Sequence, residues 1–163
     1  MKKPLTKEAA LERLASLCSR SEQCEYDLTK KMFNWGIPSS ERKTILDYLK
    51  ENRYLDDIRF AKSFANDKAR FSSWGPYKIR VELARKRIKG PIATEVIKNI
   101  DNVVWKEGIM KCANAKAKNL DLTGEESWEN SRKLFRYLIS RGFPSAISSK
   151  VVDLMKKRQL EES

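Results

Sequence analysis

Ten basic side chains crowd into residues 59–89: Arg59, Lys62, Lys68, Arg70, Lys78, Arg80, Arg85, Lys86, Arg87 and Lys89, against only Asp67 and Glu82. The resulting net of +8 is two thirds of the +12 carried by all 163 residues. Charge of one sign repels itself, so its concentration points to an anionic partner, either phosphate or an acidic protein surface. Phe71, Trp74 and Tyr77 stand among these cations, where aromatic rings stack on bases or anchor an interface. At helical spacing Arg59, Lys62 and Arg70 share a face, while Lys78 with Arg85 and Arg80 with Arg87 align over two turns. A charged helix face is often merely solvated. Charges nearly all of one sign and the interleaved aromatics argue instead for a binding ridge made of Arg59, Lys62, Arg70, Trp74, Tyr77, Lys78, Arg80, Arg85, Lys86, Arg87 and Lys89.

Other chemistry finds little support. The chain has no histidine, which removes the commonest general base at neutral pH and every Ser-His or Cys-His mechanism. Cys18, Cys24 and Cys112 are an odd number without short paired spacing, so a four-ligand zinc site is not expected. They read as ordinary thiols of a reducing compartment. Asp56-Asp57 is the one acidic pair that invites a metal or nuclease reading, but adjacent helical residues diverge by about 100° and no third carboxylate follows at i+3 or i+4. Helix capping explains the pair better. The six glycines are scattered, and no phosphate-cradling loop emerges. The expectation is a protein without catalytic residues, cofactor or metal. No apolar run approaches the ~18 residues that cross a bilayer, and Met-Lys-Lys-Pro-Leu-Thr lacks the apolar core of a signal peptide. Cytoplasmic location is expected.

The ridge requires helices to hold it, and the apolar residues supply their pattern. Leu28, Met32, Ile37, Ile45, Leu46 and Leu49 are answered by Ile79, Leu83, Ile88, Val96, Ile97 and Ile100, then by Leu134, Leu138, Phe143, Val151, Val152 and Met155. The intervals recur without a slip. A period near 50 residues marks an array of small units, each unable to bury its apolar side alone but able to do so when stacked on a neighbour. The predicted fold is all-α: three tandem three-helix repeats over residues 1–52, 53–102 and 103–163, elongated and monomeric. The middle repeat carries the ridge.

Local signals divide each repeat. Leu11, Leu14, Ala15 and Cys18 lie at helical spacing before Ser19-Arg20-Ser21 breaks the pattern. Gly36-Ile37-Pro38 ends the next helix through a left-handed cap, and Ser39 or Ser40 is placed to cap the third. In the second repeat Asp56 or Asp57 caps a helix with the stripe Phe60, Ala61, Phe64 and Ala65, and Pro76 opens the following helix. In the third, Ile109, Met110, Ala113 and Ala117 form the first stripe, and Ser127 is the expected cap beyond the loop at 121–126.

These residues also carry a family likeness. Tyr54-Leu55-Asp56-Asp57-Ile58-Arg59-Phe60-Ala61, followed by Gly75-Pro76-Tyr77-Lys78-Ile79-Arg80-Val81-Glu82-Leu83-Ala84-Arg85-Lys86-Arg87-Ile88, closely resembles the signature of bacterial RecX regulatory proteins. The resemblance extends over nearly the whole chain, including Ser21 to Leu28. Arg87 departs from it, because the family usually has glycine before the apolar residue. The resemblance implies a non-enzymatic modulator of the RecA recombinase that lies in the groove of the RecA–DNA filament. Such a protein inhibits strand exchange, ATP hydrolysis and repressor cleavage, tuning DNA repair, homologous recombination and the SOS response. Its expected partners are the RecA filament and, more weakly, single- or double-stranded DNA. The competing class is a direct nucleic-acid-binding protein, whose ridge contacts phosphates without RecA.

Overall fold

The computed structural model describes residues 3–163, and all regular structure among them is helical: α1 (Lys7–Arg20), α2 (Glu25–Asn34), α3 (Ser39–Glu51), α4 (Asp57–Phe71), α5 (Pro76–Arg85), α6 (Gly90–Lys98), α7 (Asn102–Ala117), α8 (Ser127–Ser140) and α9 (Ser145–Glu162). No described helix is long and apolar enough to cross a membrane. The eighteen recurring apolar positions are all buried. They fall into three cores, one centred on Leu28, Ile45 and Leu49, one on Ile79, Leu83 and Val96, and one on Leu134, Leu138 and Val151. Burying each such side chain contributes about 1.5–3 kcal/mol.

One turn geometry sets the angle between the second and third helices of every unit. After α2, α5 and α8 the chain passes through Gly36 (φ +76°), Arg87 (φ +60°) and Gly142 (φ +95°). The next amide in each case, that of Ile37, Ile88 or Phe143, donates back to the carbonyl of Met32, Leu83 or Leu138 at 3.0, 3.0 and 3.2 Å. The preceding amides of Gly36, Arg87 and Gly142 reach Phe33, Ala84 and Ile139. This paired closure is a Schellman turn, whose central residue must be left-handed. Glycine enters that region freely, whereas a side chain costs about 1–2 kcal/mol. Arg87 therefore holds a backbone conformation that its two counterparts hold without strain.

The caps differ in part from expectation. Thr6 accepts from the Ala9 amide and Asp56 from the amides of Ile58 and Arg59, as N-caps do. Pro76 opens α5 behind Gly75. Ser39 and Ser40, however, are already helical, and Pro38 occupies the N-cap. Ser127 is likewise the first residue of α8, behind Glu126. In both places the fixed turn before the helix draws the start back, so the serine no longer stands outside it.

Candidate functional site: a basic surface bounded by two unlike junctions

The middle unit places its cations in three different situations. Lys62 and Arg70 on α4 and Lys89 ahead of α6 are exposed and take part in no ion pair among the described residues. Arg80 is exposed and donates to the Thr94 hydroxyl at 3.0 Å, and Arg85 pairs with Glu82 one turn back at 2.6 Å while remaining 71% exposed. These five side chains present charge directly to solvent.

The tryptophan is less free than its position in the sequence suggests. Lys68 from α4 and Lys78 from α5 approach the Trp74 ring at 4.8 and 4.5 Å, and the Phe64 edge meets it at 6.2 Å. Trp74 thus pins the loop between the two helices by cation–π attraction. Phe71 and Tyr77, at 78% and 58% exposed, are the rings of this region that face water.

The remaining ridge residues reach toward the first unit. Arg59 Nε donates to Glu22 at 2.6 Å, and its terminal nitrogen donates to the carbonyls of Arg53 and Tyr54. The hydrogen bond that Glu22 accepts holds the guanidinium above its ordinary pKa. Lys86 Nζ donates to Asp27 at 2.6 Å and lies 5.8 and 6.0 Å from the ring centres of Phe60 and Phe64. The Arg87 guanidinium lies 5.8 Å from the Tyr26 ring centre. Tyr26, Lys86, Arg87 and Lys89 line a groove of about 610 Å³ between the units.

Asp57 completes this polar junction. Its neighbour Asp56 caps α4, but Asp57 Oδ1 accepts from the Glu25 amide at 2.9 Å and so caps α2, in the preceding unit. Burial raises the Asp57 pKa, partly opposed by that hydrogen bond. Cys24, fully buried, plugs into the middle core, and burial pushes its thiol up to about 11.

The second junction is built from backbone. Gly75 and Tyr77 donate to the carbonyls of Arg141 and Gly142 at 2.7 and 3.0 Å. The Arg141 guanidinium donates in return to the Ser72 carbonyl, and Cys112 Sγ lies 3.4 Å from the Ser73 carbonyl. A Cβ at Gly75 would overlap the Gly142 carbonyl group, and one at Gly142 would stand 2.5 Å from Lys78 Cβ.

Glu22, Asp27 and the role of Asp57 toward α2 escaped the sequence reading. Their partners lie 37, 59 and 32 residues away, and nothing in a helical period announces such contacts. Among the described residues no group of three or more His, Cys, Asp or Glu side chains is placed to hold a metal ion.

Known proteins share both the architecture and the sequence. A family profile described as "RecX, second three-helix domain" matches residues 56–97, the stretch that includes Asp56, α4, α5 and most of α6. Regulatory protein RecX of Chlorobium limicola is 30% identical over 138 residues, covering 83% of this chain and 82% of that protein. Regulatory protein RecX of Clostridium botulinum is also 30% identical, over 146 residues; this chain spans 66% of its length. A crystal structure of a regulatory protein RecX superimposes with a TM-score of 0.78 over 90% of this chain and 73% of that one, at 22% identity. RecX from Lactobacillus salivarius gives 0.74 over 91% of this chain and 96% of that one, at 17% identity. With the fold, the middle-unit motif and a relative matched over 82% of its own length in agreement, this chain belongs to the RecX family of regulatory proteins.

Proposed function

We propose that this protein regulates RecA without catalysing a reaction, binding the RecA–DNA filament and inhibiting its recombinase, ATPase and co-protease activities. It would act in the cytoplasm as a monomer, tuning DNA repair and the SOS response. The observation that supports this most is the strongly basic surface of the middle unit, with Lys62, Arg70, Arg80, Arg85 and Lys89 exposed. A row of stacked units offers such a surface to several successive protomers of a filament, and its charge favours a highly anionic target. The family membership supplies RecA as that target.

A second reading has its own support. Exposed Phe71 and Tyr77 among cations are also what a protein needs to hold single-stranded nucleic acid directly. Titration against an oligonucleotide, with and without the cognate RecA, separates the two. A filament regulator binds the nucleoprotein filament more tightly than bare DNA. A triple variant, Lys62→Glu, Arg70→Glu and Lys89→Glu, keeps its helix content because the three side chains are solvated. It should lose filament binding and inhibition, with a salt slope shallower by about one per phosphate contact removed. Inhibition of cognate RecA at wild-type concentrations by this variant would show the surface to be merely solvated.

A further inference from the structure

Arg59 and Lys86 belong to the basic surface, yet each is neutralised by a carboxylate of the first unit, Glu22 and Asp27 respectively. These are the ion pairs that cross between units among the described residues. We infer that Glu22 and Asp27 form an ionic latch that a polyanion opens, by taking over Arg59 and Lys86 and releasing the first unit to change its angle. The inference rests on the proposed role of the basic surface as a polyanion-binding site.

Three features make the latch releasable. Both pairs are partly solvated, with side-chain exposures of 43% and 28% for Arg59 and Glu22 and of 26% and 31% for Lys86 and Asp27. Pairs of this kind are held only weakly and are screened by salt. The second oxygen of Glu22 is buried without a hydrogen-bond partner. An unsatisfied carboxylate oxygen in that position favours opening, since opening returns it to water. Finally, each cation that leaves its carboxylate for a phosphate retains a charge partner, so the exchange strands no positive charge. The carboxylates, expelled by the incoming anion, gain solvent.

The Glu25 amide reports the state of this junction, because its acceptor is Asp57 across it. The Gly75 and Tyr77 amides report the second junction, where the acceptors are carbonyls that no anion competes for. In the full chain, raising salt from about 0.05 to about 0.5 M should speed exchange at Glu25 about fivefold and leave Gly75 and Tyr77 within about twofold. Adding an oligothymidylate at low salt should do the same. The double variant Glu22→Gln/Asp27→Asn should bind the oligothymidylate about three- to tenfold tighter, with a salt slope steeper by up to about two. Its Glu25 amide should already be unprotected. A control with the same change of charge at exposed positions, Glu12→Gln/Glu51→Gln, should leave slope and exchange as in the wild type.

The salt arm needs no ligand and decides the latch alone: unchanged Glu25 exchange overturns it. Binding of the oligothymidylate without any change at Glu25, or a double variant that behaves like the control, overturns the polyanion as trigger. Absence of binding by both wild type and double variant overturns the trigger together with the basic-surface reading.

Discussion

The two junctions of this molecule solve one problem with different materials. Between the first and second units, side-chain ions and a borrowed helix cap surround the buried plug of Cys24: Glu22 with Arg59, Asp27 with Lys86, and Asp57 with the Glu25 amide. Between the second and third, amides and carbonyls meet directly around Gly75 and Gly142. Ions partly exposed to water contribute about 0–1 kcal/mol each and yield to salt or to competing charge. Backbone contacts this close tolerate neither a Cβ nor a change of angle. The chain is therefore adjustable at one end of its middle unit and fixed at the other.

The largest effect should come from forcing a side chain into the fixed junction. Gly142→Val meets both a positive φ and Lys78 Cβ at 2.5 Å, and Gly75→Ala meets the Gly142 carbonyl group. Each should destabilise the protein by about 1–3 kcal/mol or more, read as a lower midpoint in denaturant unfolding. Gly90→Ala is the control, since nothing lies within 4 Å of a Cβ there. As Gly90 only opens α6, directly before Pro91, that change should stay within about 0.5 kcal/mol of the wild type. Equal losses at Gly75 and Gly90 would dissolve the contrast between the junctions.

A smaller effect is expected at the adjustable junction, and it turns on Asp57. Asp57→Ala removes the cap of α2 and should cost about 0.5–2 kcal/mol, whereas Asp57→Asn keeps an acceptor for the Glu25 amide. Burial raises the pKa of Asp57 above its ordinary 3.8. A raised acid favours its neutral form in the folded state, so its contribution to stability is complete below about pH 3.8 and is lost as pH rises through the folded value. The asparagine variant has no such loss. Its melting temperature relative to wild type should therefore rise with pH from about 3.8 upward and then level off. A difference that stays flat with pH would mean that Asp57 ionises as freely in the folded protein as in the unfolded one.

The thiols give a further comparison. Burial lifts Cys24 to about 11 and also raises Cys18, with Glu22 beside it contributing. The reactive form is the thiolate, so both should alkylate slowly at neutral pH. Because Cys24 is the plug between the first and second units, its modification should quicken with salt, while buried Cys112 at the other junction should not respond. Mass spectrometry of singly labelled protein distinguishes them.

What was legible in the sequence follows from the range of each interaction. Leu28, Ile79 and Leu134 and their fifteen companions repeat at fixed intervals because each unit buries its own helices, a relation contained within some thirty residues. Pro76 and Asp56 act within one turn, and the chain spells them out directly. The basic residues were legible as a cluster but not as individuals. Arg59 and Lys86 look like their neighbours until Glu22 and Asp27 arrive from another unit, and Trp74 looks free until Lys68 and Lys78 close on it. The meeting of Gly75 with Gly142 was equally hidden, since each glycine has an adequate local reason to be where it is. Ser39 and Ser127 show the opposite error: the residue type suits a cap, but the turn before it starts the helix one step early.

The smallest effect is expected at Arg87, where stability and binding should move in opposite directions. Gly36 and Gly142 occupy the corresponding turns of the outer units at φ +76° and +95°, and Arg87 adopts +60° with a side chain attached. The left-handed turn costs a non-glycine residue about 1–2 kcal/mol. Glycine removes that cost but loses about 0.4–1 kcal/mol through the greater freedom of its unfolded chain. Arg87→Gly should therefore stabilise the protein by roughly 0.5–1 kcal/mol, visible as a higher unfolding midpoint. The same change removes an exposed guanidinium from the groove between the first two units and its cation–π contact with Tyr26. If Arg87 contacts the anionic partner, affinity should fall severalfold, with a salt slope shallower by about one. A protein that is both more stable and a weaker binder would show strain held at the adjustable junction for the sake of a contact. Gain of stability with unchanged binding would instead leave Arg87 as a tolerated departure from glycine, and would confine the working cations to Lys62, Arg70 and their exposed neighbours.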